Sequence, residues 1–163
     1  MTSWKSVVGA SGYRVYLYKG KKLVKCVDTT KRPITFKKLS KGTEYKIVVK
    51  AYKTIDGKKI FSLVSKELQT ATKLSAPTSV KVKAGNKKAT ISWTKVKSAN
   101  SYTVYYSTNK NSGFKKLTVI KNSADIKKLS SGKIYYFKVV ANKKAGKAVV
   151  ASDYSRLVSA KIR

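Results

Sequence analysis

The sequence predicts an all-β chain arranged as two tandem antiparallel sandwiches, and three observations predict it. A stretch near the start of the 163 residues is copied about ninety positions later, apolar residues alternate with period two, and turn-forming clusters break the alternation at roughly eight- to twelve-residue intervals. No segment carries the i, i+3, i+4, i+7 apolar stripe of an amphipathic helix.

The copy is direct. "SWKSVVGASGYRVYLY" at residues 3–18 reappears as "SWTKVKSANSYTVYYS" at 92–107, so that Trp4 and Trp93, Tyr13 and Tyr102, Val15 and Val104, and Tyr16 and Tyr105 share one offset of 89 residues. Farther on, "FKKLSKGTEYKIVVKAY" (36–52) matches "IKKLSSGKIYYFKVVAN" (126–142) at an offset of 90, which places one inserted residue between the two blocks. A period this long exceeds a solenoid unit and suits one small sandwich domain. The expected organisation is therefore a first domain over 1–72, a short linker "KLSA" over 73–76, and a second domain over 77–163. Pro77 fixes the start of the second domain's first strand, and four linker residues allow little swing, so a semi-rigid rod is expected.

Each strand follows from its alternation. Tyr13, Val15 and Leu17 line one face of a strand, and Tyr45, Ile47, Val49 and Ala51 line one face of another; their second-copy counterparts are Tyr102, Val104, Tyr106 and Tyr135, Phe137, Val139, Ala141. Turns fall at "IDGKK" (55–59), "GN" (85–86), "NKNSG" (109–113) and "SSG" (130–132). In the second copy "APTSVKVKAGNKKATISW" supplies two further strands, from about residue 77 to 94. The first copy has only "MTSW" in that place.

A Trp before a turn, then Tyr-x-Val-Tyr, then a Leu followed six residues later by a Tyr and an alternating Val-x-Ala strand, resembles the fibronectin type III domain, an immunoglobulin-like sandwich. The resemblance covers nearly the whole chain. It implies that Trp4 and Trp93 are the strand B tryptophans, that Tyr13 and Tyr102 are the strand C aromatics, and that Leu39 to Tyr45 and Leu129 to Tyr135 form the tyrosine corner, in which a phenol hydrogen-bonds to upstream backbone. It also implies that the first copy lacks strand A and most of strand B, that its neighbouring strand is left with unpaired backbone groups, and that the chain is a piece starting inside a domain. On that reading the first copy is the weaker one and is prone to borrow a strand from another chain. The Lys-rich surface, with "YKTIDGKKIFSLVS" between the last strands, resembles tandem copies in secreted or wall-attached proteins of clostridium-like bacteria, which implies an extracellular or cell-wall location and flanking domains of a larger parent protein. The integrin-binding Arg-Gly-Asp of some animal members has no counterpart, since the corresponding loops read "TIDGKK" and "KKAGK".

Charge bounds the partners. Thirty-eight basic residues against 6 acidic ones, with no His, give a net charge of +32, a density that attracts any polyanion. Nearly all the basic residues are Lys; the arginines are Arg14, Arg32, Arg156 and Arg163. Lys supplies a hydrated point charge rather than the planar fork used for base reading, so diffuse attraction is expected rather than recognition. Anionic cell-wall polymers or polysaccharide are the expected partners, with nucleic acid bound only non-specifically, and no run of apolar residues approaches a membrane span. Nothing in the sequence reads as a helix-turn-helix, zinc finger or RNA-recognition signature.

The same composition argues against catalysis. Without His the commonest general base and metal ligand is missing. The six acids, Asp28, Glu44, Asp56, Glu67, Asp125 and Asp153, lie far apart in sequence, and Asp56 and Glu44 have no acidic counterpart in the other copy. "GNKKAT" and "SSGKI" lack the spacing of a phosphate loop and sit at strand turns. Cys26 is alone, which excludes an internal disulfide, and is expected to be a small half-buried strand residue. No catalytic residue, cofactor or metal site is expected.

Two residue sets follow. Trp4, Tyr13, Leu39, Tyr45, Trp93, Tyr102, Leu129 and Tyr135 are expected in the cores. If Tyr13, Val15 and Leu17 face inward, Tyr16 and Tyr18 face outward beside Lys46, Lys50 and Tyr52, with Tyr105, Tyr136 and Lys138 in the second copy. Aromatic rings interleaved with Lys can stack on sugars or bases while holding anionic groups, and they can equally be cross-strand pairs shielding a solvated face. The expected function is a non-catalytic spacer or adhesion module of an exported protein, with a glycan- or polyanion-binding role for the Tyr/Lys face as the alternative and intracellular nucleic-acid binding behind both.

Overall fold

The computed structural model describes residues 2–163. Among the described residues every regular element is a β-strand. The chain divides into two compact units, one of Met1–Thr72 with Ala145–Ala148 and one of Lys73–Lys144 with Val149–Arg163.

In the first unit, β1 (Gly12–Lys19), β2 (Lys22–Thr29), β3 (Glu44–Ile55), β4 (Lys58–Phe61) and β5 (Leu68–Ala71) form one antiparallel sheet, ordered β2-β1-β3-β4 with β5 also on β3. Alternation sets its inner face: Tyr13, Val15 and Leu17 lie opposite Ala51, Val49 and Ile47. Among the described residues, the β-pairing of this unit outside the sheet is an isolated bridge, Thr2 to Ile34, closed by backbone hydrogen bonds of 2.9 and 3.0 Å. Val15, Leu17, Tyr45 and Ile47 make the buried core, with Trp4, Ile34, Phe36, Leu39 and Val49 half-buried against it.

In the second unit the strands are β6 (Lys81–Gly85), β7 (Lys88–Ser92), β8 (Ser101–Ser107), β9 (Lys115–Val119), β10 (Ser123–Lys127), β11 (Ile134–Ala145), β12 (Ala148–Ala151) and β13 (Val158–Lys161). They make two facing layers: a three-stranded sheet ordered β10-β7-β6, and a sheet ordered β12-β11-β8-β9 with β13 also on β11. Fourteen buried residues fill the space between, among them Val80, Ile91, Trp93, Val104, Phe137, Val139 and Ile162. A fully buried aliphatic side chain contributes about 1.5–3 kcal/mol. The second core therefore stabilises its unit far more than the four-residue buried cluster of the first can.

The lack, among the described residues, of strand A and most of strand B in the first copy, expected from "MTSW", accounts for this difference at individual positions. Val139 is fully buried, whereas its counterpart Val49 is half-buried. Leu117 packs on the second core, whereas Val27, which occupies the same register position opposite Val15, is 38% exposed. One expectation needs correction. Cys26 is exposed, because it pairs with Tyr16 on the outer face of an edge strand. Leu74, within the segment 73–76, is buried in the second core.

One device recurs in both units. After β4, the N–H groups of Ser62 and Ser65 donate to the carbonyls of Ala51 and Val49, and the hydroxyls of the same serines accept from the N–H groups of Ala51 and Val49 at 3.0 Å. Ser152 and Ser155 repeat it on Ala141 and Val139, at 2.9 Å for each hydroxyl. Where the outer strand leaves the ladder, a side-chain oxygen takes the place of a backbone carbonyl, and the buried donors stay satisfied.

Candidate binding face

The core residues come first, because they hold the outer faces in register. Trp93, Tyr102 and Leu129 are buried, Tyr135 is half-buried against them, and in the first unit Tyr13 and Tyr45 are buried while Trp4 and Leu39 are half-buried. Each Trp meets its Tyr edge-on, with ring centroids 5.3 Å apart for Trp4 and Tyr13 and 5.2 Å for Trp93 and Tyr102. The phenols also act as polar ties: Val7 N–H donates to the Tyr13 hydroxyl, and Val96 N–H to the Tyr102 hydroxyl, each at 2.8 Å. Both indole Nε1 atoms are buried without a hydrogen-bond partner among the described residues. At the second tyrosine corner, Ser130 N–H donates to the Tyr135 hydroxyl at 3.2 Å.

On the outer face of the first unit, register sets Tyr16 beside Val48, Tyr18 beside Lys46 and Arg14 beside Lys50. Tyr16 and Tyr18 stack with centroids 6.4 Å apart, and Lys46 pairs with Glu67 at 3.0 Å. Tyr52 shares this face but is buried, which removes it from any binding surface. The reason is its cross-strand partner: Gly12 has no Cβ, and one built there would stand 2.5 Å from the Tyr52 hydroxyl. The ring lies down across that gap and is then covered, with the Lys59 ammonium 4.6 Å from its centroid and Phe61 edge-on at 5.7 Å. Arg14 lies 4.6 Å over Phe61 and holds Asp28 through two bonds of 2.6 and 2.7 Å, while Lys59 reaches the same carboxylate at 2.6 Å. The hydrogen bond from Arg14, aided by Lys59, keeps the Asp28 carboxyl well below the usual carboxylate range, and Asp28 raises Arg14 in turn. The Glu67 carboxyl is lowered by the Gln69 amide and then by Lys46.

The second unit has a different face. Tyr105 and Lys138 are register partners, as are Tyr105 and Lys116, and Tyr136 lies opposite Ser107. The structure adds two rings that sequence reasoning did not select, Phe114 and Tyr154. The Lys138 ammonium sits between them, 4.1 Å from the Phe114 centroid and 4.2 Å from that of Tyr154. Tyr154 meets Tyr105 edge-on at 5.2 Å, and Lys116 lies 5.5 Å from the Tyr105 ring. Burial, with Tyr154 alongside, pushes the Tyr105 hydroxyl up from its ordinary value. The repeat carried the missing signal for Tyr154: "SDYS" at 152–155 stands where the first copy has "SLVS", so Tyr154 is an aromatic gained at the position of Val64.

Neither face presents a nucleophile beside a base, and no group of three or more potential metal ligands occurs among the described residues. The faces offer ring surfaces, half of them already covered by lysines, and a dense field of ammonium groups.

Comparison with known proteins agrees with this geometry. Residues 75–156 match the family described as "Fibronectin type III domain". Among solved structures, a two-domain fibronectin type III segment from chicken tenascin superposes with a TM-score of 0.54 at 23% identity, covering 98% of this chain and 89% of that one. The chicken CNTN1 FN1-FN3 domains superpose with a TM-score of 0.53, also at 23% identity, over 93% of this chain and 56% of that chain, so this chain spans little more than half of that segment. At such identity the likeness concerns the fold alone. No curated protein matches the chain.

Proposed function

Because the chain belongs to the fibronectin type III family, we propose that it is a non-catalytic spacer and adhesion module of an exported protein, held against anionic cell-wall polymers by diffuse electrostatic attraction. Domains of this family typically serve as non-catalytic spacers or adhesion modules and are commonly extracellular, and among the described residues no helix is long and apolar enough to cross a membrane. The observation that carries the reading is the charge. Ion pairs such as those of Arg14, Lys46, Lys59 and Lys73 engage a small part of the 38 basic residues that produce a net charge of +32. Such a surface binds polyanions with an affinity that falls steeply as salt rises, since the screening length is only about 8 Å at physiological ionic strength.

Pull-down across a salt series, against purified wall polymer, a random DNA duplex and a neutral glycan, tests this. Comparable, salt-labile retention of both polyanions and none of the neutral glycan is expected. A second reading rests on the ring cluster of the second unit, in which Tyr105, Tyr154 and Phe114 form a platform for a glycan. Retention on neutral glycan that survives high salt and is lost in Tyr105→Ala would establish it and overturn the purely electrostatic account.

A further inference from the structure

Beneath the tyrosine corner of the second unit lies a pocket of about 160 Å³ whose wall includes Lys115, Lys127, Lys128, Ser107, Thr108 and Tyr135. We propose that this pocket is a binding site for one phosphate group, taken either as the free anion or as a link of a phosphate-containing polymer. It refines the electrostatic reading above, on which it rests only for the polymeric source.

Three lysines line one small concavity, and none of the three makes an ion pair among the described residues. The acid on the same strand, Asp125, accepts a hydrogen bond from the Thr90 hydroxyl at 2.7 Å. Tyr135 accepts a hydrogen bond from Ser130 N–H at 3.2 Å. Its phenol is held below the ordinary value by hydrogen bonding to Ser130 first and by the charges of Lys115 and Lys133 after it. The donor set selects the ligand: three mobile point charges and a hydroxyl suit a tetrahedral anion with three free oxygens, whereas a carboxylate is matched by the planar fork of Arg.

Backbone conformation sets the lysines. Lys128 has φ of +59° and its first-copy counterpart Lys38 has φ of +58°, a left-handed conformation that favours glycine and costs a lysine free energy in both copies. The first copy shows the alternative use of the same residues. There Lys25, at the register position of Lys115, donates to the Lys37 carbonyl at 2.9 Å and is spent on the fold.

The test is a titration of the full chain, followed by amide chemical shifts at ionic strength held constant with chloride, with inorganic phosphate in one arm and a glycerol-phosphate oligomer in the other. Saturable shifts confined to Ser107, Thr108, Lys115, Lys127 and Lys128 are expected. Saturation by inorganic phosphate identifies the free anion as sufficient, and saturation by the oligomer alone identifies the polymer. Lys127→Gln combined with Lys128→Gly is expected to weaken binding at least about tenfold, while glycine at that φ preserves the fold. Lys95→Gln with Lys97→Gln removes the same charge beyond the far end of β7 and is expected to change affinity less than about twofold. Shifts spread without saturation over lysines of the whole chain, or equal losses in the two double variants, overturn the site and leave the diffuse attraction standing.

Discussion

Asp28 shows how much a single acid can organise on so basic a surface. It takes hydrogen bonds from Arg14 and Lys59, and through them it pins the rings of Phe61 and Tyr52 against the sheet. Its folded-state pKa is depressed, so the stabilisation it supplies is fully present above its unfolded value of about 3.9 and is lost as pH falls from there through the folded value. Urea midpoints measured from about pH 7 down to pH 2 are expected to drop below about pH 4, and Asp28→Asn is expected to flatten that limb for the first unit. At neutral pH the same variant is expected to cost the first unit up to about 2 kcal/mol, because it removes two surface ion pairs, each worth up to about 1 kcal/mol. A drop of equal steepness in the variant would assign the acid limb to other carboxylates.

At the scale of elements, the Ser-x-x-Ser segments set the edge of each large sheet. Ser155→Ala is expected to destabilise the second unit by about 1–3 kcal/mol, since it strands the buried N–H of Val139 without an acceptor. Equilibrium urea unfolding measures it, and an unchanged midpoint would mean that the hydroxyl is replaceable by water. Alternation made the strands legible in sequence: Tyr13, Val15 and Leu17, or Phe137, Val139 and Ala141, announce their inner faces residue by residue. The hydroxyl device was not legible, because apolar period carries no information about which polar atom closes a ladder. Tyr52 and Tyr154 were misplaced or missed for a related reason. Whether a ring on the outer face is covered depends on its cross-strand partner, Gly12 for Tyr52, and on which loop folds over it, as the segment after β12 brings Tyr154 onto Tyr105.

For the whole molecule, two cores of unequal size imply two unequal stabilities. Thermal melting is expected to show two transitions, with the earlier belonging to the unit whose core is Val15, Leu17, Tyr45 and Ile47. Trp93→Ala, which empties a site 3% exposed, is expected to cost the second unit about 3–5 kcal/mol and to move the later transition down toward the earlier one. A single transition that shifts as a whole would mean that the two units unfold as one. The interrupted margins bear on what happens when many such chains are crowded together. β12 and β13 are four residues each, and between them the hydroxyls of Ser155 and Ser152 take the N–H groups of Val139 and Ala141 in place of backbone carbonyls. A neighbouring molecule finds no unbroken hydrogen-bonding rail there along which to zip, and fibre growth from that side is starved of a template.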